Sequence, residues 1–166
     1  MDLVEILNKQ NEYTGEIKKR NELADGEYRN LIHLWIIDDE GKILIQKRAS
    51  AKKHYPNKWS ITSGCVNSKE SFVETCIREA KEELNVDIDV ENLEYYMSFK
   101  KKPTVAQIFV LRQNVDLDKV IVQKEEVSEV KLVTKEELIN MINNNECANT
   151  INYMNVLFDI IDEKIG

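Results

Sequence analysis

Hydrophobic residues come in short strand-like runs over the first two thirds of the chain and move to helical spacing near the middle and the end. VEILN and GEIKKR, split by polar residues, predict an N-terminal hairpin within residues 1–28. LIHLWII (31–37) and KILIQK (42–47) flank DDEG, a turn sequence, and predict two neighbouring strands. YPNKWSITSG reads as a loop and a short strand. DIDVENLEYYMSFKK and TVAQIFVLRQ supply further strands, and VSEVKLVT a short one. Between residues 71 and 84 the period changes. Ser71 with Glu74 forms a capping-box signature, and Val73, Cys76, Ile77, Ala80 and Leu84 fall on one stripe at about 100° per residue, which assigns that stripe to the core. Asn85 stands where a left-handed cap would stop the helix. Two helices are predicted within 134–166. One opens at Thr134 with Glu137 three residues on and stops at Asn143–Asn145; the other carries Ile151, Met154, Leu157, Phe158, Ile161 and Ile165 up to Gly166.

Strands and helices mixed in this order predict an α/β fold, with one mixed β-sheet sandwiched between α-helices (α/β/α). No repeat or linker interrupts it, so residues 1–166 are expected to form one domain. Composition changes this picture little. A net charge of −7 argues against a protein that coats nucleic acid or lies on a membrane, but a local basic patch still suits small phosphorylated ligands. The N-terminus has neither the basic nor the apolar region of a signal peptide, and no apolar run is long enough to span a bilayer; a cytoplasmic location is expected. Cys65, Cys76 and Cys147 form no paired motif, which fits a reducing compartment. Monomer and homodimer both stay open.

The acidic residues of the middle helix raise a chemical question. Glu79, Glu82 and Glu83 have i, i+3, i+4 spacing and crowd one face away from the apolar stripe. Like charges so close repel, by a few tenths of a kcal/mol (roughly) per exposed pair. A solvated face would tolerate that. A hard cation such as Mg²⁺ or Mn²⁺ would remove it, and would take just such oxygen ligands together with substrate phosphates. Spacing alone leaves the choice open.

The whole segment GCVNSKESFVETCIREAKEELNV (64–86) resembles the Nudix box. Gly64, Glu70, Arg78, Glu79, Ala80, Glu82, Glu83 and Val86 fall in register with it; Asn85 replaces the final Gly, and Lys69 stands where Gly often precedes the first Glu. The resemblance implies the Nudix fold and Mg²⁺-dependent (or Mn²⁺-dependent) hydrolysis of a diphosphate bond in a small nucleoside-diphosphate-type substrate. It implies Glu79, Glu82, Glu83 and the Ser63 carbonyl as metal ligands, Arg78 orienting a box carboxylate, and Glu70 in a structural role. The base that takes the water's proton would be a box Glu, with Glu82 and Glu79 the candidates, or a carboxylate of QKEEVSEV, where Glu125, Glu126 and Glu129 are candidates.

QKRASAKKHYPNKW, upstream, is similar to a narrower subgroup, the Nudix proteins related to isopentenyl-diphosphate isomerase. In that subgroup an Arg and a Lys placed like Arg48 and Lys52 bind the diphosphate, which suits the planar fork of the one and the mobile charge of the other. Lys47, Lys53 and Lys58 add to a basic cluster. The isomerases themselves use a cysteine and histidine ligands; here those positions hold Ser63, Arg29 and Glu22. An isomerase-like enzyme and a non-catalytic Nudix sensor are the alternatives, the second set against retention of all three box glutamates. His33 reads as a core or edge residue and His54 as a loop residue. Trp35, Tyr55, Trp59, Tyr95, Tyr96 and Phe99 include candidate stacking partners for a base.

Overall fold

The computed structural model describes the backbone of residues 2–165 and side chains as far as residue 162. The hairpin expected at the N-terminus is present: β1 (Leu3–Leu7) pairs antiparallel with β2 (Tyr13–Lys19) as a separate two-stranded sheet. Val4 and Ile6 point inward from β1 onto Cys65, and Leu7 exchanges backbone hydrogen bonds with Tyr28 (2.8 and 2.9 Å). The hairpin is thereby docked on the main body.

That body is a seven-stranded mixed sheet. β3 (Arg29–Ile37) and β4 (Ile43–Arg48) meet only at their shared end, Ile37 opposite Ile43, and then splay apart. β5 (Trp59–Ser60) and β6 (Thr62–Cys65) fill the gap: β5 pairs with β4 and β6 with β3. The single short strand read from YPNKWSITSG is thus two, bent at Ile61. Helix α1 (Phe72–Leu84) follows β6 directly. β7 (Leu93–Lys101) and β8 (Thr104–Arg112) form a hairpin, with β8 parallel to β3, and β9 (Val127–Val133) covers the outer edge of β4. Helices α2 (Lys135–Asn143) and α3 (Met154–Ile165) close the described chain.

Alternation along the strands builds two apolar layers. Ile32, Leu34 and Ile36 of β3 pack with Cys76, Ala80 and Leu84 of α1 on one face. Trp35 and Ile37 pack with Leu138 and Met141 of α2 and Met154, Leu157 and Phe158 of α3 on the other. The sheet between helices is as the pattern predicts.

Three expectations need correction. Residues 87–92 are not strand: Gln113 holds Asp87 and Asp89 through side-chain bonds, and Asp89 caps a single 3₁₀ turn, Val90–Asn92, so β7 starts only at Leu93. The last helix is split, because Ile151 belongs to its own 3₁₀ turn (Asn149–Ile151); Ile151, Met154, Leu157, Phe158 and Ile161 are nonetheless buried, and the Ile165 side chain and the whole of Gly166 lie outside the described residues. The third correction concerns α1. Val73 and Ile77 are 40% and 41% exposed, while Thr75, Glu79 and Glu83 are buried beside Cys76, Ala80 and Leu84. The helix is rolled so that carboxylates, not aliphatic residues, complete its inner face.

Candidate active site

The roll of α1 has a visible cause in Arg78. Its Nε and Nη2 donate to the two oxygens of Glu70 (2.7 and 2.9 Å), and Nη2 also reaches the Cys65 carbonyl (2.9 Å). Nη1 donates to Glu79 (2.7 Å) and, more weakly, to Glu82 (3.3 Å). One planar guanidinium so joins the strand end, the loop and two carboxylates, a use of the fork that lysine could not copy. Burial works against the Glu70 carboxylate, but donors from Arg78, Thr75 and the Asn67 amide hold it below its ordinary range. The helix itself starts on a complete capping box, Ser71 with Glu74, and ends on Asn85 in the left-handed region (φ 56°, ψ 36°).

Glu79 and Glu83 project from α1 towards the sheet. Glu83 accepts from Gln46 Nε2 (2.9 Å), and Thr62 Oγ1 donates to Gln46 Oε1 (3.0 Å), which fixes the amide's orientation. Both carboxyls are raised from their ordinary value, chiefly by burial. Their own repulsion adds to this for Glu83, which is pushed up to about 8. Glu82, one turn from Glu79, is half exposed and, among the described residues, is tied to Arg78 alone. No three described carboxylate, imidazole or thiol groups converge closely enough to enclose an ion by themselves. A cation here would complete its shell with waters and phosphate oxygens, as Mg²⁺ ordinarily does.

A cleft of about 930 Å³ opens over these residues. Ser63, Gly64, Arg78, Glu79, Glu82, Glu83 and Glu126 line it, and so do Arg48 and Lys52. The candidates read separately from sequence therefore share one space. Of the three acidic residues proposed outside the box, only Glu126 reaches it. Glu125 is exposed elsewhere, and Glu129 pairs with Lys47 (3.4 Å) on the strand edge. Glu126 is ion-paired with Lys52. Its loop is suspended from α1: the amides of Ile121 and Gln123 donate to the carbonyls of Leu84 (3.1 Å) and Glu83 (3.0 Å), and the Ala49 amide donates to the Glu126 carbonyl (3.0 Å). Arg48 donates from Nε to the His54 carbonyl (2.8 Å) and has no carboxylate within ion-pair distance among the described residues. Burial draws it below its ordinary value, against the pull of Glu126 and Glu83.

A NUDIX domain model matches residues 27–151. The chain belongs to the Nudix family. An uncharacterised Nudix hydrolase of Listeria monocytogenes is 34% identical over 140 residues, covering 83% of each chain. A crystal structure of a Deinococcus radiodurans protein superposes with a TM-score of 0.74 at 25% identity, over 89% of this chain and 92% of that one. The NUDIX domain of Shewanella oneidensis NrtR, solved with ADP-ribose, shares the fold with a TM-score of 0.65 at 14% identity, over 90% and 94%. The protein is accordingly a Nudix hydrolase, acting on pyrophosphate bonds, in a family that generally uses divalent cations.

Against the Nudix box, sequence reasoning missed Gln46. Its signal was present: a neutral polar residue that directly continues the apolar run Ile43–Leu44–Ile45 and is buried with it. His33 is buried, as a core residue, but also borders the cleft; its Nδ1 meets the Tyr153 hydroxyl (2.7 Å), which accepts from Trp35 Nε1 (2.8 Å). Trp35 can only donate, so the tyrosine hydroxyl accepts from it and shares a second hydrogen bond with the imidazole Nδ1. Burial pulls this histidine down to about 4, so it is neutral. Of the six aromatic candidates only Tyr55 lines the cleft; Trp35 is wholly buried, and Trp59 lies beneath Lys131.

Proposed function

We propose that this Nudix protein hydrolyses the diphosphate of a small nucleoside-diphosphate-type substrate with the help of Mg²⁺ or Mn²⁺. One observation carries the reading: two buried carboxylates, Glu79 and Glu83, face a cleft across from Arg48, a cation without a counter-ion among the described residues. Buried carboxylates that repel each other are costly unless something positive joins them. All the donors present are oxygens, which suits a hard divalent ion. Glu79, Glu82, Glu83 and the Ser63 carbonyl would hold it. When bound, such an ion polarises phosphoryl oxygens and lowers the pKa of a water.

The remaining roles belong to the chain. Arg78 keeps Glu79 and Glu82 in place through Nη1 and braces the loop through Glu70. Glu126 is assigned as the base that takes the water's proton on its carboxylate, since it alone of the acidic loop faces the α1 carboxylates. Lys52, now paired with Glu126, and Arg48 would hold the diphosphate, the role that the resemblance to the isomerase-related subgroup implies for them. Tyr55 offers a face to a base. The cleft volume accommodates a molecule the size of a nucleoside diphosphate derivative. A carbon-protonating isomerase is disfavoured, because Ser63 carries no thiol and the thiol of Cys65 is buried against Arg29.

The test is a hydrolysis screen over nucleotide sugars, dinucleotides, nucleoside diphosphates and capped RNA ends, with Mg²⁺ and with Mn²⁺, beside Glu82→Gln. Turnover of at least one diphosphate, dependent on the cation and lost in the variant, is expected. Cation-independent turnover, or none across the panel, refutes the reading.

A further inference from the structure

Strand register sorts the residues that line the cleft onto the two faces of the sheet. Ile32 lies opposite Gly64, and both face α1 and its carboxylates. Arg29, Leu31 and His33 alternate onto the other face of β3, joined across the ladder by Cys65 and Ser63. All five of these residues also line the cleft. A substrate whose diphosphate meets the α1 carboxylates has a second set of lining residues beside it, on the opposite side of the sheet.

Arg29 dominates that set, and the protein leaves it poorly satisfied. Nη1 donates to Cys65 Sγ (3.2 Å), a weak acceptor, and Nε is buried without any acceptor among the described residues. No carboxylate lies within ion-pair distance of it among those residues. A partly buried guanidinium in this state calls for an explanation. Its neighbours are cationic too. Arg20 shares the surroundings of Cys65 with it, and the Arg29 amide donates to the Pro103 carbonyl (3.0 Å), placing the turn with Lys101 and Lys102 alongside. Among the described residues, Arg20 pairs with Asp2 (3.7 Å), Lys102 with Asp25 (3.1 Å), and Lys101 donates to the neutral Asn149 amide oxygen (2.9 Å). Among the described residues these four cations are paired with only two carboxylates, Asp2 and Asp25, in a protein whose net charge is −7.

We propose that Arg29, flanked by Arg20 and the Lys101–Lys102 turn, forms a second anion subsite that takes a phosphate monoester on the substrate's organic moiety. The excess of two charges matches a phosphate monoester, which carries about −1.5 to −2 at pH 7. Preferred substrates are then diphosphates bearing one further phosphate away from the scissile bond. The proposal rests on the diphosphatase reading for what occupies the α1 side; binding of the extra phosphate does not require turnover.

Two measurements separate the claims. In the first, calorimetry compares adenosine 5′-monophosphate with adenosine 3′,5′- and 2′,5′-bisphosphate, none of which contains a diphosphate bond. At least one bisphosphate should bind about 10-fold or more tighter than the monophosphate, the range of a charge-assisted contact. Arg29→Gln should bring that ratio to about one, and Arg29→Lys should keep part of it. In the second, kcat/KM is compared within the pairs coenzyme A and dephospho-coenzyme A, and NADPH and NADH. The phosphorylated member of at least one pair should be preferred, and Arg29→Gln should erase the preference. Equal binding of mono- and bisphosphates by the wild type, or a preference that survives in both Arg29 variants, overturns the subsite. Absence of hydrolysis with the binding preference intact would strike only the diphosphatase reading.

Discussion

Gly64 lies directly beneath the Glu79 carboxylate: a Cβ on residue 64 would stand 2.1 Å from Glu79 Cδ and 2.3 Å from Oε1. No side chain fits that space, so the glycine serves close approach and not an unusual backbone angle. Gly64→Ala should push Glu79 off its position while Arg78 stays bonded to Glu70. A misplacement of this kind costs about 10²-fold in kcat, whereas overpacking costs roughly 1–3 kcal/mol of stability. Steady-state kinetics and a thermal melt check this together. Near-normal kcat would show that Glu79 has no positional demand.

The buried carboxylate pair gives the metal-free protein a pH signature. Glu79 and Glu83 are raised in the folded state, Glu83 to about 8 from an ordinary 4.5, so the native chain holds protons that the unfolded chain releases. Stability from this source is complete below about pH 4.5 and declines as pH rises towards 8. His33 has the opposite sign: lowered to about 4 from 6.5, it costs stability as pH falls through that window. Glu83→Gln isolates the first effect. Measured without divalent cations from pH 5 to 8, the Tm difference between variant and wild type should grow with pH, in favour of the variant. Mn²⁺ should raise the wild-type Tm more than the variant's, and turnover should be nearly abolished by the substitution. A pH-independent difference would mean that Glu83 is not buried in its charged form.

Arg48 should act on substrate and not on the ion. A charge-assisted contact to phosphate is worth ~1.5–3 kcal/mol, so Arg48→Ala should lower kcat/KM by about 10- to 150-fold. Arg48→Lys should recover part of this, and Mn²⁺ affinity without substrate should not change in either variant. Unchanged kinetics would confine the resemblance to the box.

Asn85 occupies a left-handed cap whose amide reaches the carbonyls of Ala80 and Lys81. Asn85→Gly should preserve or slightly raise stability, and Asn85→Val should lose about 1–2 kcal/mol from Cβ sterics. Denaturant melts of the pair decide it. Equal midpoints would place residue 85 in another conformation.

What sequence could show follows from the range of each interaction. Capping boxes at Ser71 and Thr134, the Asn85 stop and the apolar strand run LIHLWII are local, and each appears where the pattern puts it. The rotation of α1 is not local. Helical spacing alone favours Val73 and Ile77 as buried, and only the contacts of Arg78 with Glu70 and of Glu79 with Gly64 turn them outward. The same limit hid the pairing of Lys52 with Glu126, which are 74 residues apart, and the division of residues 59–65 between two partner strands. Gln46 and Arg29 were readable as residues. Their surroundings, a carboxylate for one and a thiol for the other, were not.

The suspended loop that carries Glu126 links the motions of three segments. Because Ile121 and Gln123 depend on the last carbonyls of α1, and Ala49 on the carbonyl of Glu126, fraying of that helix end removes the loop's anchor, and loss of the loop frees the start of the Arg48–Lys52 turn. Amide hydrogen exchange should therefore report one opening event: residues 49, 121 and 123 exchanging with similar protection, and all slowing together when a divalent cation and a diphosphate occupy the cleft. Acid wall and basic wall would open as a unit, and ligand would close them as one.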